Sequence, residues 1–341
     1  MPPPRAGCAW VCSPWRWNGA EAGARERPGP VERRRKAEPV SLFALLAALG
    51  LEHWRPERPD GPRQWAGEWL ARLLDNLNAG GEQHGVLAWT LGVLLPALAV
   101  ALAGWALAGV WTPLAWVYGA AVLYFCLGFR SASYLAAGVF KALRADELET
   151  ARAQLSAWRP GQPAGADADT LMRQTLEEIL RQSLIRLFGV VFWFLLLGPA
   201  GAVLYLLTRL ARDRWQAEPE FARFARRVAH WLDWLPARLL AFSFAIVGNF
   251  QDAQACWRTQ AASWGEAGDG IVLAAGAGAL GLRLGGDARL PGGELPRPPL
   301  GPDEPQGMAP GPDSLDAVVA LVWRAALLWV AVLGLLWLGS L

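Results

Sequence analysis

The chain has 341 residues, of which 53% are hydrophobic and only 18% charged, with 20 tryptophans and a net charge of +2. Soluble domains carry about 25% charged residues, so this balance disfavours an ordinary soluble fold and points to a membrane protein with polar loops. The net charge is too small for a nucleic-acid partner, and the arginine bias reads instead as an orientation signal for membrane segments.

Residues 1–39 are rich in Pro, Gly and Arg and show no periodicity. They lack the apolar core of a signal peptide. Val40 followed by "SLFALLAALGLE" reads like a natural N-terminus, so 1–39 is expected to be either a disordered extension or a stretch ahead of the true start. Residues 41–54 suggest an apolar helix too short to cross a hydrocarbon core of about 30 Å. In 62–78, Trp65, Trp69, Leu73 and Leu77 recur at helical spacing and predict an apolar face.

The uncharged run 86–110 is long enough to span a membrane, and 114–129 follows after a short Trp-Thr-Pro turn. Arg130, Lys141 and Arg144 lie beyond it, which puts the turn outside and the following residues in the cytoplasm. A polar amphipathic helix is expected over 131–158, and another from 170, with Thr170 as its N-cap.

The third apolar segment, 187–208, has Gly198-Pro199-Ala200-Gly201 at its centre. Both of its flanks are basic. Either a re-entrant segment or a kinked simple span accounts for a proline there. After it, two helices joined near Pro236 are expected, the second being interfacial or protein-buried. Residues 270–282 read as a Gly-rich helix, either flexible or closely packed. Residues 284–315 read as a disordered Pro/Gly linker, and 316–341 as a C-terminal span whose Arg324 snorkels. There is no tandem repeat and no phosphate-loop motif. Cys8, Cys12, Cys126 and Cys256 read as unpaired thiols without a metal site.

"FWFLLLGPAGAVLY" followed by "LDWLPARLLAF", with "LEHW" near the start and "VGNF" after the second motif, resembles the CobD/CbiB superfamily of bacterial inner-membrane proteins. The likeness covers about residues 41–260 and the final span, within a membrane domain expected over 40–283, and it is greatest to the AmpE-like, regulatory branch. The superfamily's enzymes are adenosylcobinamide-phosphate synthases, which form an amide between adenosylcobyric acid and an amino-alcohol at the expense of ATP. Such chemistry implies magnesium and hard oxygen ligands.

This sequence departs from the pattern the resemblance implies. Glu177 falls at the family's first Glu, but the following Glu-Asn pair becomes Arg181-Gln182 and an Asp becomes Ile185. Arg209 and Arg212 stand where Asn and Asp are expected. Arg227 matches, whereas two acids become Ala229 and His230, and Asp233 replaces an Asn. Gly198, Pro199, Pro236, Ala237 and Arg238 match.

The expectation is therefore an all-α polytopic inner-membrane protein with cytoplasmic helices and a broken Gly-Pro segment. Its function is expected to be regulatory and non-catalytic, with no cofactor and no metal. The alternative is a cobalamin-pathway ligase with an altered site that uses Mg-ATP. Arg181, Arg209, Arg212, Arg227 and Arg238, with Arg186, are the candidate anion-binding residues; Glu177, Gly198, Pro199, Asp233 and Pro236 are the family-matched positions. The expected partners are the lipid bilayer and either a phosphorylated or carboxylate small molecule or another membrane protein, with no nucleic acid.

Overall fold

The computed structural model describes residues 50, 61–78, 80–159, 161–264, 267–303 and 305–339. The extension 1–39 and nearly all of the helix expected at 41–54 lie outside these residues. Helix α1 (Gly61–Leu77) buries Arg63, Ala66, Gly67 and Leu70. Trp65 and Trp69, on the apolar face expected from their spacing, point outward. Spacing alone does not tell a lipid-facing stripe from a core-facing one.

Four helical runs are long and apolar enough to cross a membrane: Glu82–Val110, Thr112–Arg144, Ala168–Leu197 and Ser314–Leu338. The chain is an all-α polytopic membrane protein. Helix α2 (Glu82–Val110) carries a wide π-turn at Thr90–Leu94 just before Pro96, where the ring denies the ladder a donor. Pro113 opens α3 (Thr112–Cys126), and the extended Leu127 divides it from α4 (Phe129–Arg144). The helix expected over 131–158 is broken: Asp146 takes a positive φ, and α5 (Leu148–Trp158) folds back against α4. Leu98, Leu102, Trp105 and Val117 stand exposed, in keeping with a lipid-facing surface.

Helix α6 (Ala168–Leu197) is capped by Asp167, not Thr170; the Asp167 carboxylate accepts the Thr170 N–H at 2.9 Å. Its apolar window is 67% buried, against 28–33% for the other three, so it runs inside the bundle. It stops at Gly198, whose φ of +66° suits glycine, and Pro199 begins α7 (Pro199–Arg214).

The two helices then fold back on each other. Tyr205 covers Gly189, and Gly201 sits against the Trp193 carbonyl, so a side chain at either glycine would collide. Residues 187–208 are thus a helical hairpin, not a simple span, and the two basic flanks come together at its open end.

Helix α8 (Pro219–Val247) is one helix of 29 residues with Pro236 inside it, where two helices were expected. Proline leaves the carbonyl of Leu232 without its backbone donor. The Trp193 indole N–H supplies the missing bond at 3.0 Å, so the helix continues.

Helices α9 (Phe250–Gln260) and α10 (Ala267–Leu280) complete the core. The small residues of α10 admit close neighbours, as at Gly278, which lies against the backbone of Asp252 and Ala253. Residues 284–315 are not a structureless linker. β1 (Leu284–Gly285) pairs with β4 (Pro299–Leu300), and β2 (Ala288–Leu290) with β3 (Gly293–Leu295), both antiparallel. Helix α11 (Ser314–Leu338) packs on the core through Trp329, whose indole donates to Ser243 at 2.9 Å.

Candidate functional site

The hairpin places the C-terminal half of α7 beside the N-terminal half of α6. Between them, closed by the end of α5 and the start of α10, lies a cavity of about 770 Å³. A second compartment of about 650 Å³ adjoins it and shares Arg63, Trp158, Arg186, Leu210 and Arg214 with the first. Eight arginines and four carboxylates line the larger one. Apolar wall is provided by Ile185, Leu206, Leu210 and Leu273.

Three acids organise the guanidiniums. Glu178 is buried and accepts from Arg181 through Nε at 3.0 Å and Nη2 at 2.9 Å, and from Gln182 at 2.5 Å. Arg159 approaches the same carboxylate to 3.4 Å. These α6 contacts follow from i, i+3 and i, i+4 spacing.

Asp269, in the first turn of α10, lies 3.7 Å from Arg209, 3.8 Å from Arg212 and 4.0 Å from Arg181. Burial opposes its ionisation, but Arg209, Arg181 and Arg212 outweigh burial and hold the carboxyl below the usual range. Asp233 accepts from Arg209 and, at 2.8 Å, from the Tyr205 hydroxyl. Removing one partner of such a buried pair costs about 3–5 kcal/mol, because the other charge stays buried.

Donors exceed acceptors in this network. Arg209 is 1% exposed, and its Nε and Nη2 make no hydrogen bond. The Trp158 and Trp264 indole N–H groups on the cavity wall are also buried without an acceptor. Each such group costs about 1–3 kcal/mol unless something accepts from it. Burial lowers the pKa of Arg159, with Glu178 and Glu177 pulling the other way.

Of the residues singled out in the sequence, Arg181, Arg209, Arg212 and Arg186 meet at the cavity. Arg227 and Arg238 do not. At about 100° per residue, each lies more than about 100° around α8 from the buried Asp233. Arg227 pairs with Glu82 at 3.6 Å on the outer surface. Arg238 stacks 4.3 Å above the Trp234 ring and donates to the Trp234 carbonyl. It is an anchor at an apolar surface, not part of the cluster.

Glu177 belongs to a different tie. It accepts from Arg297 at 2.7 and 3.2 Å and from the Gly285 N–H at 2.9 Å, holding the β-ribbon against α6. Gly198, Pro199 and Pro236 shape the backbone. Sequence reasoning missed Glu178, Asp269, Arg159, Trp158 and Trp264. The spacing of Glu178 to Arg181 and Gln182 was readable, whereas the loop position of Arg159 gave no signal.

Among the described residues no group of three or more His, Cys, Asp or Glu side chains could hold a metal ion. Glu178, Asp269 and Glu177 are each engaged by guanidiniums. This donor set suits anionic oxygens and does not fit a magnesium clamp.

The family model for CobD/Cbib protein matches residues 45–322. A protein of Stutzerimonas stutzeri (strain A1501), named cobalamin biosynthesis protein CobD, is 35% identical over 302 residues, 86% of this chain and 95% of that protein. A protein of the same name from Chromobacterium violaceum is 38% identical over 234 residues, 67% of this chain and 73% of its own length. No solved structure matches. The resemblance to the superfamily therefore holds, but the AmpE-like, regulatory reading is overturned: both relatives carry the biosynthetic name. The leaning toward a non-catalytic scaffold loses its support with it.

Proposed function

We propose that this chain, which belongs to the CobD/CbiB family, acts in cobalamin biosynthesis as a ligase of the adenosylcobinamide-phosphate synthase type with an arginine-rich site. The names of the relatives support the pathway. The observation that carries the site is the convergence of Arg181, Arg209 and Arg212 on one buried cavity.

The reaction class that the family implies joins a corrinoid carboxylate to the amine of an amino-alcohol, with ATP supplying the driving force. In that chemistry the guanidiniums hold carboxylate or phosphate oxygens, in pairs where geometry allows. Glu178 and Asp269 fix the guanidinium planes, so little ordering remains for the moment of binding. The apolar wall excludes water and strengthens each charge interaction. No step is assigned to a metal, because three of the four acids lining the cavity are committed to arginines.

The location proposed is the bacterial inner membrane, multi-pass, with the cavity facing the cytoplasm. The arginine-rich open end of the hairpin supports that orientation.

The test is complementation. A bacterium lacking its own enzyme for this step, given the full chain, is expected to make cobalamin from adenosylcobyric acid and amino-alcohol. Arg209→Ala is expected to abolish growth that depends on it. Failure of the wild-type chain to complement, with the protein present in the membrane, contradicts the reading.

A further inference from the structure

We infer that the cavity binds a phosphate-bearing ligand through guanidiniums and indoles alone, without a divalent cation. This rests on the reading of the cavity as the substrate site, but not on the reaction performed there. Two independent observations carry it.

The first is charge. Eight arginines face four carboxylates, so the lining is positive by formal charge before any ligand enters. Glu178 is bound by Arg181 and Arg159, Glu177 by Arg297, and Asp269 lies within 4.0 Å of three guanidiniums. A divalent cation placed here would meet three of the four lining carboxylates already taken by guanidiniums and would add to the positive charge.

The second is hydrogen bonding. The Arg209 Nε and Nη2 groups and the Trp158 and Trp264 indoles are buried donors with no acceptor. They call for a ligand made of acceptors. Phosphate oxygens meet that demand, since they are acceptors only and carry the opposite charge. Asp269 competes for the same guanidiniums: its Oδ1 sits 3.7 Å from Arg209 Nη2 without a hydrogen bond. A phosphate entering beside Arg209 and Arg212 would take over part of what Asp269 now neutralises. The shared chemistry covers a phosphoanhydride, as in a nucleotide, and a phosphomonoester, as in a phosphorylated amino-alcohol.

The experiment uses the full chain in phosphatidylcholine nanodiscs, with labelled inorganic pyrophosphate in equilibrium dialysis. Binding is measured in EDTA and again with magnesium. Saturable binding in EDTA is expected, and magnesium should leave it unchanged or weaken it. Arg212→Ala should weaken it on the order of tenfold through the lost charge-assisted contacts. Asp269→Asn should tighten it, an outcome that misfolding cannot imitate. Arg238→Ala, outside the cavity, should bind like wild type.

Displacement by ATP in EDTA identifies the anhydride, and displacement by ethanolamine phosphate identifies the monoester. Binding that requires magnesium, binding unaltered by Arg212→Ala, or no binding in either condition overturns the inference. Complementation together with magnesium-dependent binding would leave the proposed function standing and sink this inference alone. Metal-free binding without complementation would do the reverse.

Discussion

The indole N–H of Trp193 donates to the carbonyl of Leu232 at 3.0 Å, four residues before Pro236. A side chain from the hairpin thus repairs the gap that proline opens in α8. The same bond clamps α8 against the hairpin, near the point where Asp233 receives Tyr205 and Arg209.

Trp193→Phe keeps most of the packing but leaves the Leu232 carbonyl without a donor. It is expected to cost about 1–3 kcal/mol. In a Pro236→Ala background the backbone N–H returns, so the cost should shrink toward zero. Thermal unfolding of the four proteins in detergent gives the coupling. Equal costs in both backgrounds would dissociate the indole from the proline.

The reversal at Gly198 depends on close contact between its two arms. Gly201→Ala drives a methyl into the Trp193 carbonyl and the Leu197 side chain. A loss of about 1–3 kcal/mol is expected, as for other overpacked sites. Gly293→Ala, where nothing lies within 4 Å, is the matched control. Indistinguishable unfolding of the two variants would contradict the packing described.

Topology follows from a chain of contacts. Arg152 on α5 donates to the carbonyls of Gly165 and Ala166, and the Ala166 N–H reaches the Arg289 carbonyl on β2 at 2.6 Å. Single cysteines replacing Glu149 and Gly293, in a chain whose four native cysteines are replaced, should label from the same side of spheroplasts. Labelling of one from outside while the other stays protected would break this arrangement.

Asp269 gives a pH dependence. Its carboxyl is held below the ordinary 3.8, so the unfolded state binds the proton more readily. Its stabilisation is present above the unfolded value and is lost as pH falls through the folded one. Asp269→Asn should therefore be less stable than wild type at neutral pH, with the gap narrowing below about pH 4. A gap that widens on acidification would reverse the sign.

Much of the architecture was legible. The runs at 86–110 and 316–341 announce themselves by length and lack of charge. The Gly-Pro centre of 187–208 marked a break, and the two basic flanks already hinted that the chain returns. The helical continuity through Pro236 was not legible, because the compensating donor, Trp193, lies 39 residues away from Leu232. Composition also misjudged 284–315. Its glycines and prolines form turns between short ladders, and the tie that orders them, Glu177 to Arg297, crosses 120 residues.

At the site, four of the six arginines proposed as anion ligands do meet. Arg227 and Arg238 were drawn in because they match the family pattern, while helix geometry turns them outward. Asp269 was missed because the apolar run after it masks a single acid whose partners lie on two other helices.

The most direct measurement of the central claim is a ligase assay on membranes containing the full chain. Adenosylcobyric acid, aminopropanol or its phosphate, ATP and magnesium are supplied, and an active synthase is run alongside. The expected result is amide product above the empty-membrane background, reduced on the order of a hundredfold by Arg209→Ala as buried charge contacts to the reacting groups are lost. Absence of product, with folded protein in the membrane and the control synthase active, would contradict a ligase in this family member.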